Sequence, residues 1–505
     1  MCNPTSIAEG RATARLTTVA AVFCILFFAF SLPAAHALNV RLEGDRLWLH
    51  AEDVSLHELM RGFAHIGVRV KLDPELDGRV HAHIEDEDAE RALSDLFEAV
   101  GYVFIWEVMD GPLGPWPKLA EMQVFRTGNR RDARPLFDET DTFRVMRMPD
   151  GSGIEYIADE IIIGFGPGSD QDAIRVLIRQ LGGTVVESLP ELGIYRIRLP
   201  PGTNIPALVD QLTRNPLVAA VEPNYAYRTP APVRADEMSP AAAPISVRAP
   251  RDGAPPVAVL DSGLTMLPDM EGLVAGGFNA LQPDQPITDT AGHGTQMALI
   301  ASGLIPPGGT QTEGNGVPVL AIRAFNDDGI TSNFAQMRSV FYAAQQGAKV
   351  LNMSWGSPAN SAFLQHAITE AEREGLTVVA SAGNEPLNQP MYPAAYADVI
   401  AVGAALPDGS PWPQSNYGDF IFVSAPGTAR FPVGHQGEPG AYAGTSIASA
   451  YVSYALGLYA AQNPNATPAQ IREALRKAIQ TEDRAWDRQR GHGLLDRRAL
   501  ERLLQ

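Results

Sequence analysis

The stretch Ala443-Gly444-Thr445-Ser446-Ile447-Ala448-Ser449-Ala450 places a serine between a glycine-threonine turn and a run of small residues that favours a helix. A nucleophilic serine needs such a setting, because its hydroxyl must project from a tight turn with little bulk beside it. A helix that begins there also supplies backbone N–H groups and a positive dipole end for an oxyanion. Gly-Thr-Ser is equally an ordinary helix N-cap, so the rest of the chain must decide between these interpretations.

Composition and charge narrow the class of protein. The 505 residues leave room for roughly three domains. A hydrophobic content of 45% and a charged content of 19% are those of a globular chain with a sizeable core. The formal net charge of -19 argues against a nucleic-acid partner and against binding an anionic membrane surface by charge.

Residues 1–37 are predicted to be a signal peptide. Arg11 and Arg15 precede an apolar run at 16–32, and Ala35-His36-Ala37 is a small-x-small cleavage site. An uncleaved membrane anchor is the alternative, but the run is near the lower length limit for spanning a bilayer. The protein is therefore expected to be secreted or periplasmic. Its two cysteines, Cys2 and Cys24, fall in this segment, so the mature chain would have neither a disulfide nor a thiolate metal site.

Residues 38–110 are predicted to form a small α/β domain. Ser55, with Glu58 three residues later, predicts a capped helix between strands. Leu-Asp-Pro-Glu-Leu-Asp-Gly-Arg-Val at 72–80, followed by Ala-Leu-Ser-Asp-Leu at 92–96, resembles the short N-terminal domain of secretins and TonB-dependent receptors. That resemblance implies a module that docks a periplasmic protein partner, and an unrelated small α/β fold is the alternative. Residues 111–153, rich in Pro, Gly and Arg, are predicted to be a linker.

Residues 154–228 have a β-α-β-β-α-β pattern, which predicts a ferredoxin-like split fold. The segments Leu-Gly-Gly-Thr-Val-Val at 181–186 and Val-Glu-Pro-Asn-Tyr at 221–225 resemble the propeptides of subtilisin-like proteases. The resemblance implies a unit that helps the following domain to fold and blocks its cleft. Residues 229–253, rich in Ala and Pro, are predicted to be an exposed, flexible and easily cleaved linker.

From residue 254 to 505 short apolar runs alternate with helical patterns. This alternation predicts an α/β fold, a mostly parallel sheet with helices on both faces, preceded by the two small α+β domains. The runs lie at 257–260, 317–322, 349–353, 377–380, 399–402 and 420–423, and the helices at 297–302, 333–346, 359–374, 446–462 and 467–479.

Three further polar residues stand at the ends of these elements. Asp261 ends the first apolar run, where open α/β sheets build their sites. His293 is bracketed by glycines, which let the backbone approach closely and leave the imidazole unobstructed, and Asn384 follows the strand at 377–380. Each has an ordinary interpretation as a turn or core residue, but together with Ser446 they suggest one site.

The surrounding motifs resemble a known family. Asp261-Ser262-Gly263, Gly292-His293-Gly294-Thr295 and Gly444-Thr445-Ser446-Ile447-Ala448 resemble the three signatures of the subtilisin-like serine proteases, the subtilases or peptidase family S8. The chain order Asp…His…Ser is that of subtilisin.

The resemblance implies a role for each residue. Ser446 would attack the scissile carbonyl, His293 would take and return its proton, and Asp261 would orient the imidazole. Asn384 and the backbone N–H of Ser446 would form the oxyanion hole. Two uncharged segments, Ser354-Trp355-Gly356 and Ala380-Ser381-Ala382-Gly383, would line the substrate cleft, which favours an apolar or aromatic side chain at the cleavage position.

The sequence departs from the family pattern behind the site. Gln296 replaces a second histidine, and Ala450, Tyr451 and Tyr454 replace a proline, a histidine and a glycine. No cofactor or metal site is predicted. Structural calcium occurs in the family, and Asp284 and Asp327-Asp328-Gly329 carry suitable oxygens, but they are equally acids of solvated loops.

These patterns predict a secreted serine endopeptidase made as a self-processing precursor, with polypeptide substrates and its own propeptide at 154–228 as partners. A catalytically silent binding protein that keeps the fold is the alternative. An esterase of the α/β-hydrolase type is disfavoured, because no Gly-x-Ser-x-Gly elbow surrounds Ser446.

Overall fold

The structure is a computed structural model that describes residues 6–9, 38–109, 116–135, 143–166, 169–235, 247–283, 285–310, 314–480 and 486–505. The chain forms two units, one of Met1–Thr140 with Asp159–Pro223 and the other of Asp141–Ala158 with Asn224–Gln505. Asp284 and most of the predicted signal peptide lie outside the described residues. Among the residues described, no helix is both long and apolar enough to cross a membrane.

The first unit begins with two small sheets and two helices. β2, β3 and β5 form an antiparallel sheet, and the second sheet has the order β1-β6-β7-β4-β8. Ser55 caps the first helix in the predicted capping box with Glu58. The elements are β1 (Ser6–Glu9), β2 (Leu38–Glu43), β3 (Arg46–Ser55), α1 (Leu56–His65), β4 (Arg69–Leu72), β5 (Arg79–Asp88), α2 (Ala89–Leu96), β6 (Gly101–Met109), β7 (Trp116–Phe125) and β8 (Arg134–Pro135).

Strand β7 differs from the sequence prediction, which made 111–153 a linker. β7 pairs with β6 on one side and β4 on the other. Leu119, Met122 and Val124 on this strand are fully buried in the core of the small domain. The Pro-, Gly- and Arg-rich segments that flank the strand hide its pattern in the sequence, so the domain extends beyond the predicted boundary at residue 110.

The second half of the first unit contains the predicted β-α-β-β-α-β series. Its strands lie in the order β11-β12-β10-β13, which is the order of a ferredoxin-like fold. Helix α3 stops before Gly182, which has a left-handed φ of 64°, a conformation that glycine readily adopts at the end of a helix. The elements of this series are β10 (Glu155–Phe165), α3 (Gln171–Gln180), β11 (Thr184–Leu189), β12 (Ile194–Arg198), α4 (Ile205–Leu212) and β13 (Val218–Arg228). The short strand β9 (Val145–Arg147), the first residues of β10 and the last residues of β13 belong by chain position to the second unit.

Polar contacts join the two halves of the first unit. Arg179 on α3 lies 3.2 Å from the carboxylate of Glu43, which is buried at the end of β2. The ammonium of Lys118 donates to the carbonyl of Val186 at 2.9 Å, and burial lowers the pKa of Lys118. The small domain and the ferredoxin-like part are therefore packed against each other.

The second unit is built on a seven-stranded sheet in the order β16-β18-β15-β20-β21-β22-β23. Every neighbouring pair in it is parallel, which confirms the predicted α/β class. The strands are β14 (Val247–Arg248), β15 (Val257–Asp261), β16 (Val274–Asn279), β17 (Gly314–Asn315), β18 (Val319–Arg323), β19 (Ile330–Ser332), β20 (Val350–Met353), β21 (Thr377–Ser381), β22 (Ile400–Ala405), β23 (Val423–Pro426), β24 (Thr428–Phe431) and β25 (Gly440–Ala443). The helices are α5 (His293–Ala301), α6 (Asn333–Gln345), α7 (Ala362–Arg373), α8 (Thr445–Gln462), α9 (Pro468–Ile479) and α10 (Arg497–Leu503).

Helix α8, which carries Ser446, is the central helix of this unit. It is buried along most of its length and contacts strands β15 and β20 to β24. Its buried serines bond within the helix, since Ser449 Oγ donates to the Ser446 carbonyl and Ser453 Oγ to the Ser449 carbonyl, both at 2.9 Å. A helix so enclosed can hold its first turn in one position.

Tyr454, one of the departures from the family pattern, is accommodated by a glycine. Its ring is fully buried and lies where Gly303 would carry a side chain: a Cβ at Gly303 would stand 2.4 Å from a ring carbon. Burial raises the pKa of Tyr454 to about 12, so the phenol stays neutral. The large residue on α8 and the small one after α5 therefore depend on each other.

We expect Gly303→Ala to destabilise the second unit more than Gly347→Ala does. Both glycines have a positive φ, 83° and 75°, so alanine at either costs about 1–2 kcal/mol of backbone strain. Only Gly303 faces the tyrosine ring, since nothing lies within 4 Å of a Cβ at Gly347, and overpacking adds about 1–3 kcal/mol. Urea unfolding in a Ser446→Ala background would measure both variants, and equal losses of stability would contradict the packing.

Candidate active site

The carboxyl ends of three adjacent parallel strands bring the predicted residues to one edge of the sheet. Asp261 is the last residue of β15, and Ser354 and Asn384 follow β20 and β21. Helices α5 and α8 begin with His293 and with Thr445-Ser446. Such an edge is where open α/β sheets build their sites.

A buried hydrogen bond joins His293 to Asp261. The distance from Nδ1 to the carboxylate Oδ1 is 2.7 Å, and the two residues are 2% and 1% exposed. Because a carboxylate can only accept, the imidazole proton is on Nδ1, and Nε2 is left as a base. The same Oδ1 accepts the N–H of Ser262 at 2.8 Å, which holds the carboxylate in place.

Gly294 allows α5 to approach the end of β15 closely, as the glycines on both sides of His293 predict. A Cβ at Gly294 would lie 2.4 Å from the Gly263 carbonyl oxygen and 3.2 Å from Cβ of Asp261. The first turn of α5 can therefore rest on the end of β15 only without a side chain at this position.

Asp289, which the sequence analysis missed, organises the turn before His293. Its Oδ2 accepts the N–H and the hydroxyl of Thr295 at 2.8 and 2.6 Å. Its Oδ1 accepts the N–H of Gly292 and the hydroxyl of Ser262, both at 2.8 Å. The signal available in the sequence is an acid at the start of a helix, where the dipole favours it.

The hydroxyl of Ser446 donates to the carbonyl of Ser354 at 3.1 Å. Within the part of the chain that the structure describes, no hydrogen bond joins this hydroxyl to His293. Ser446 is 4% exposed, and its N–H lies in the first turn of α8, where backbone donors have no partner within the helix.

Asn384 is oriented by Thr445. Its Oδ1 accepts the N–H and the hydroxyl of Thr445 at 2.9 and 2.8 Å. This fixes the amide with Nδ2 beside Gly444, where a Cβ would stand 3.3 Å from that nitrogen. The Nδ2 donor and the N–H of Ser446 therefore lie on neighbouring parts of one site.

The predicted cleft segments lie beside Ser446 and present no charge. Trp355 is 1% exposed, and Ala380, Ser381 and Ala382 are buried as well. The Trp355 ring packs on Tyr227 with centroids 4.8 Å apart, and the N–H of Gly383 donates to the hydroxyl of Thr445 at 3.1 Å. Gly356 lies next to Met391: a Cβ at Gly356 would stand 3.5 Å from the Cβ of Met391.

Residues 226–235, here named the strap, run through the site. Ala226 to Arg228 pair antiparallel with β19, and the N–H of Thr229 donates to the Gly329 carbonyl at 2.9 Å. After the middle of the strap, Ala443 donates to the carbonyl of Val233 at 2.9 Å, and Ala235 to the carbonyl of Ala441 at 3.0 Å.

The strap corrects the prediction for the start of the 229–253 linker. Pro230 and Ala231 lie beside His293 and Ser446 in a small cavity, and Ala235 is 3% exposed. Ala231 and Arg234 are exposed, as predicted for this segment. Backbone pairing on both sides of Pro230 nevertheless holds residues 229–235 in place, so the predicted flexible linker does not begin at residue 229. Residues 236–246 lie outside the described residues.

His435 is a second histidine in the site, and no sequence pattern indicates it. Its ring centroid lies 4.7 Å from that of His293, and the residue is 5% exposed. It makes a hydrogen bond to the backbone of Pro230. Burial, and then the neighbouring His293, lower the pKa of His435 to about 3, so its imidazole is neutral.

The candidate calcium loop is engaged by protein groups. Asp327 lies 2.8 Å from the guanidinium of Arg323 and accepts the hydroxyl of Thr290 at 2.7 Å. Among the described residues there is no group of three or more His, Cys, Asp or Glu side chains that could hold a metal ion.

Two family models match the chain. Residues 253–493 match the subtilase family, and residues 145–224 match the fervidolysin N-terminal prodomain. The second match covers most of the segment that the sequence predicts to be a propeptide.

Known proteins agree with these matches. The chain is 33% identical to thermitase of Thermoactinomyces vulgaris over 214 residues, 42% of this chain and 76% of that protein. It is 30% identical to a thermophilic serine proteinase of Bacillus sp. strain AK1 over 332 residues, 63% and 82% of the two chains. The crystal structure of fervidolysin from Fervidobacterium pennivorans, described as a keratinolytic enzyme related to subtilisin, is similar in fold with a TM-score of 0.57 at 23% identity. That similarity covers 73% of this chain and 64% of fervidolysin. The chain therefore belongs to the subtilase family and is a serine-type endopeptidase.

Proposed function

We propose that the second unit hydrolyses peptide bonds with Ser446 as nucleophile, His293 as general base and Asp261 as the residue that orients it. The observation that carries the proposal is the buried 2.7 Å hydrogen bond between His293 and Asp261. This bond places the proton on Nδ1, leaves Nε2 able to accept a proton, and stabilises the imidazolium that then forms.

The reaction proceeds through an acyl-enzyme. Ser446 Oγ attacks the scissile carbonyl carbon while its proton passes to Nε2 of His293, and the imidazolium then protonates the leaving amine. Water, activated by the same imidazole, releases the acid and restores the hydroxyl. The Nδ2 of Asn384 and the N–H of Ser446 stabilise the oxyanion, and loss of one such donor typically lowers turnover about 10²–10³-fold.

Substrate binding is also expected to move the hydroxyl of Ser446 from its resting hydrogen bond. That hydroxyl donates to the carbonyl of Ser354. A peptide N–H that binds the same carbonyl shares its oxygen with the hydroxyl, which weakens the hydroxyl's bond and favours its turn toward His293. Extended peptides then lie against Ser354-Trp355-Gly356 and Ala380-Ser381-Ala382-Gly383 and along β19, in the way that the strap pairs with β19. The uncharged lining favours an apolar or aromatic side chain at the cleavage position.

A fluorophosphonate probe tests the proposed nucleophile. We expect the probe to label the wild-type chain at Ser446, because a serine activated by a base attacks phosphorus, and we expect no label in Ser446→Ala. Mass spectrometry of the labelled peptide locates the site. Ser449→Ala is the matched control, since Ser449 is buried one turn further along α8. A chain freed of residues up to about 253 that takes up no label would be a catalytically silent binding protein.

We also propose that the protein is made as a self-processing precursor. The match to a fervidolysin prodomain at residues 145–224 supports a propeptide at 154–228. The strap supports a blocked site, because its backbone pairs with β19 and β25 and its Pro230 and Ala231 line one small cavity with His293 and Ser446.

Self-processing predicts a difference between the wild type and Ser446→Ala. The wild type is expected to lose its N-terminal part by a cut between residues 228 and 253, and the variant to remain full length. Intact-mass measurement of both purified proteins during incubation shows the cut. Identical cleavage of the variant in a protease-free preparation would contradict self-processing.

We propose further that the signal peptide at 1–37 directs the protein out of the cytoplasm, to the periplasm or the medium. The apolar run with its small-x-small site supports this. Removal of the segment would take away β1, the edge strand of its sheet, and leave the other four strands of that sheet in the chain. The resemblance of residues 38–110 to the secretin and TonB short N-terminal domain supports a docking role for a periplasmic protein partner.

A further inference from the structure

The loop 432–439 joins β24 to β25 and is tied to the start of α5. On one side of His435, Gln296 donates through Nε2 to the carbonyl of Val433 at 2.9 Å. On the other side, the N–H of Gln436 donates to the carbonyl of Ala291 at 2.9 Å. Gln296, which stands where the family usually has a histidine, therefore serves to anchor this loop.

The contact between this loop and α5 is made by backbone. Gly292 has a left-handed φ of 79°, and a Cβ there would stand 1.9 Å from the Gly434 carbonyl oxygen. The N–H of His435 itself donates to the Tyr442 hydroxyl at 3.1 Å. Gln436 has a φ of 51°, a conformation that a residue other than glycine keeps only where its surroundings impose it. His435 is thus held on both sides.

The two ring nitrogens of His435 have different environments. Nε2 is buried and has no hydrogen-bond partner among the described residues. The hydrogen bond to the backbone of Pro230 therefore belongs to Nδ1. Since proline has no N–H, the acceptor is the Pro230 carbonyl, and Nδ1 is the donor.

Pro230 stands where the backbone of a bound peptide would pass. The strap pairs with the protein before it, at Thr229, and after it, at Val233. Pro230 and Ala231, between these pairs, lie beside His293 and Ser446. The Pro230 carbonyl therefore represents a main-chain carbonyl of a polypeptide that crosses the site.

We propose that His435 is a substrate-binding residue whose Nδ1–H donates to a main-chain carbonyl of the bound polypeptide next to the bond that is cut. This inference rests on the proposed protease function and deepens it. A carbonyl is common to every peptide residue, so the contact selects for an extended polypeptide and not for one side chain. A small ester such as p-nitrophenyl acetate has only the carbonyl that is attacked, so it has no second carbonyl to accept from His435.

The burial of His435 has a consequence for the precursor that can be measured. Its pKa in the folded chain, about 3, lies below the ordinary 6.5, so below pH 6.5 the unfolded chain binds a proton that the folded chain does not. The folding constant therefore falls with falling pH, by up to about tenfold per pH unit from this residue. The titratable rings packed on it, His293 and Tyr442, are unchanged in His435→Asn. The ratio of folding constants, Ser446→Ala over Ser446→Ala/His435→Asn, should thus fall between pH 6.5 and 4.5, and a constant ratio would overturn the buried, neutral imidazole.

The binding role is tested with two substrates and two variants. His435→Leu fills the space without a donor, and His435→Asn keeps an amide nitrogen two bonds from Cβ, where Nδ1 stands. Each matured enzyme is assayed with an internally quenched peptide as long as the strap and with p-nitrophenyl acetate. Rates are divided by the concentration of active sites, which is measured by fluorophosphonate labelling. His366→Leu on α7, with a side chain 53% exposed, is the matched control.

We expect the ratio of kcat/KM for the peptide to that for the ester to fall by about three- to tenfold in His435→Leu, the effect of one hydrogen bond. The loss should appear chiefly in KM for the peptide, and His435→Asn should recover most of it. An unchanged ratio, an equal loss on both substrates, or a His435→Asn that behaves like His435→Leu would overturn the role of His435 as a donor. Failure of wild type to take up the fluorophosphonate would instead overturn the proposed function.

Discussion

The contact between the first turn of α5 and the end of β15 is the constraint on which the site depends. It puts the imidazole of His293 2.7 Å from the carboxylate of Asp261 in a place that water scarcely reaches. Gly294 makes the approach sterically possible, and Asp289 satisfies the backbone donors of the turn. These hydrogen bonds also serve Asp289 itself, because a buried carboxylate without partners is costly. The Asp261–His293 pair is therefore maintained by groups that lie outside the pair itself.

The strap shows the same site with a peptide in it. Because the strap pairs with β19 before Pro230 and with β25 after it, an extended segment adds to both as a strand. In the middle of the strap two of three residues are proline, and a proline supplies no N–H. Pro230 therefore cannot donate to the protein, and its carbonyl is bound by His435. The strap is thus held by its two ends and by one imidazole.

Several parts of this structure could be predicted from the sequence because local chemistry specifies them. Apolar runs of strand length separated by helical patterns indicated the parallel sheet, and glycine on both sides of His293 indicated a close approach of backbone. Strand β7 could not be predicted in this way, since Pro and Gly beside it resemble a linker. Its burial is decided by pairing with β6, the strand before it, and with β4, which is distant from it in the chain. The same holds for Tyr454, whose ring is tolerated because Gly303 is small.

The sequence by itself determined the α/β class of the second unit and the family resemblance, and it indicated four candidate site residues, Asp261, His293, Asn384 and Ser446. These follow from residue types at short spacings, where neighbours along the chain impose the geometry. Only the tertiary structure decided that Asp289 fixes the start of α5, that the strap crosses the site, and that His435 packs against His293. Each of these joins segments distant in the chain, and such contacts depend on how the strands and helices pack, which no local pattern of residues records.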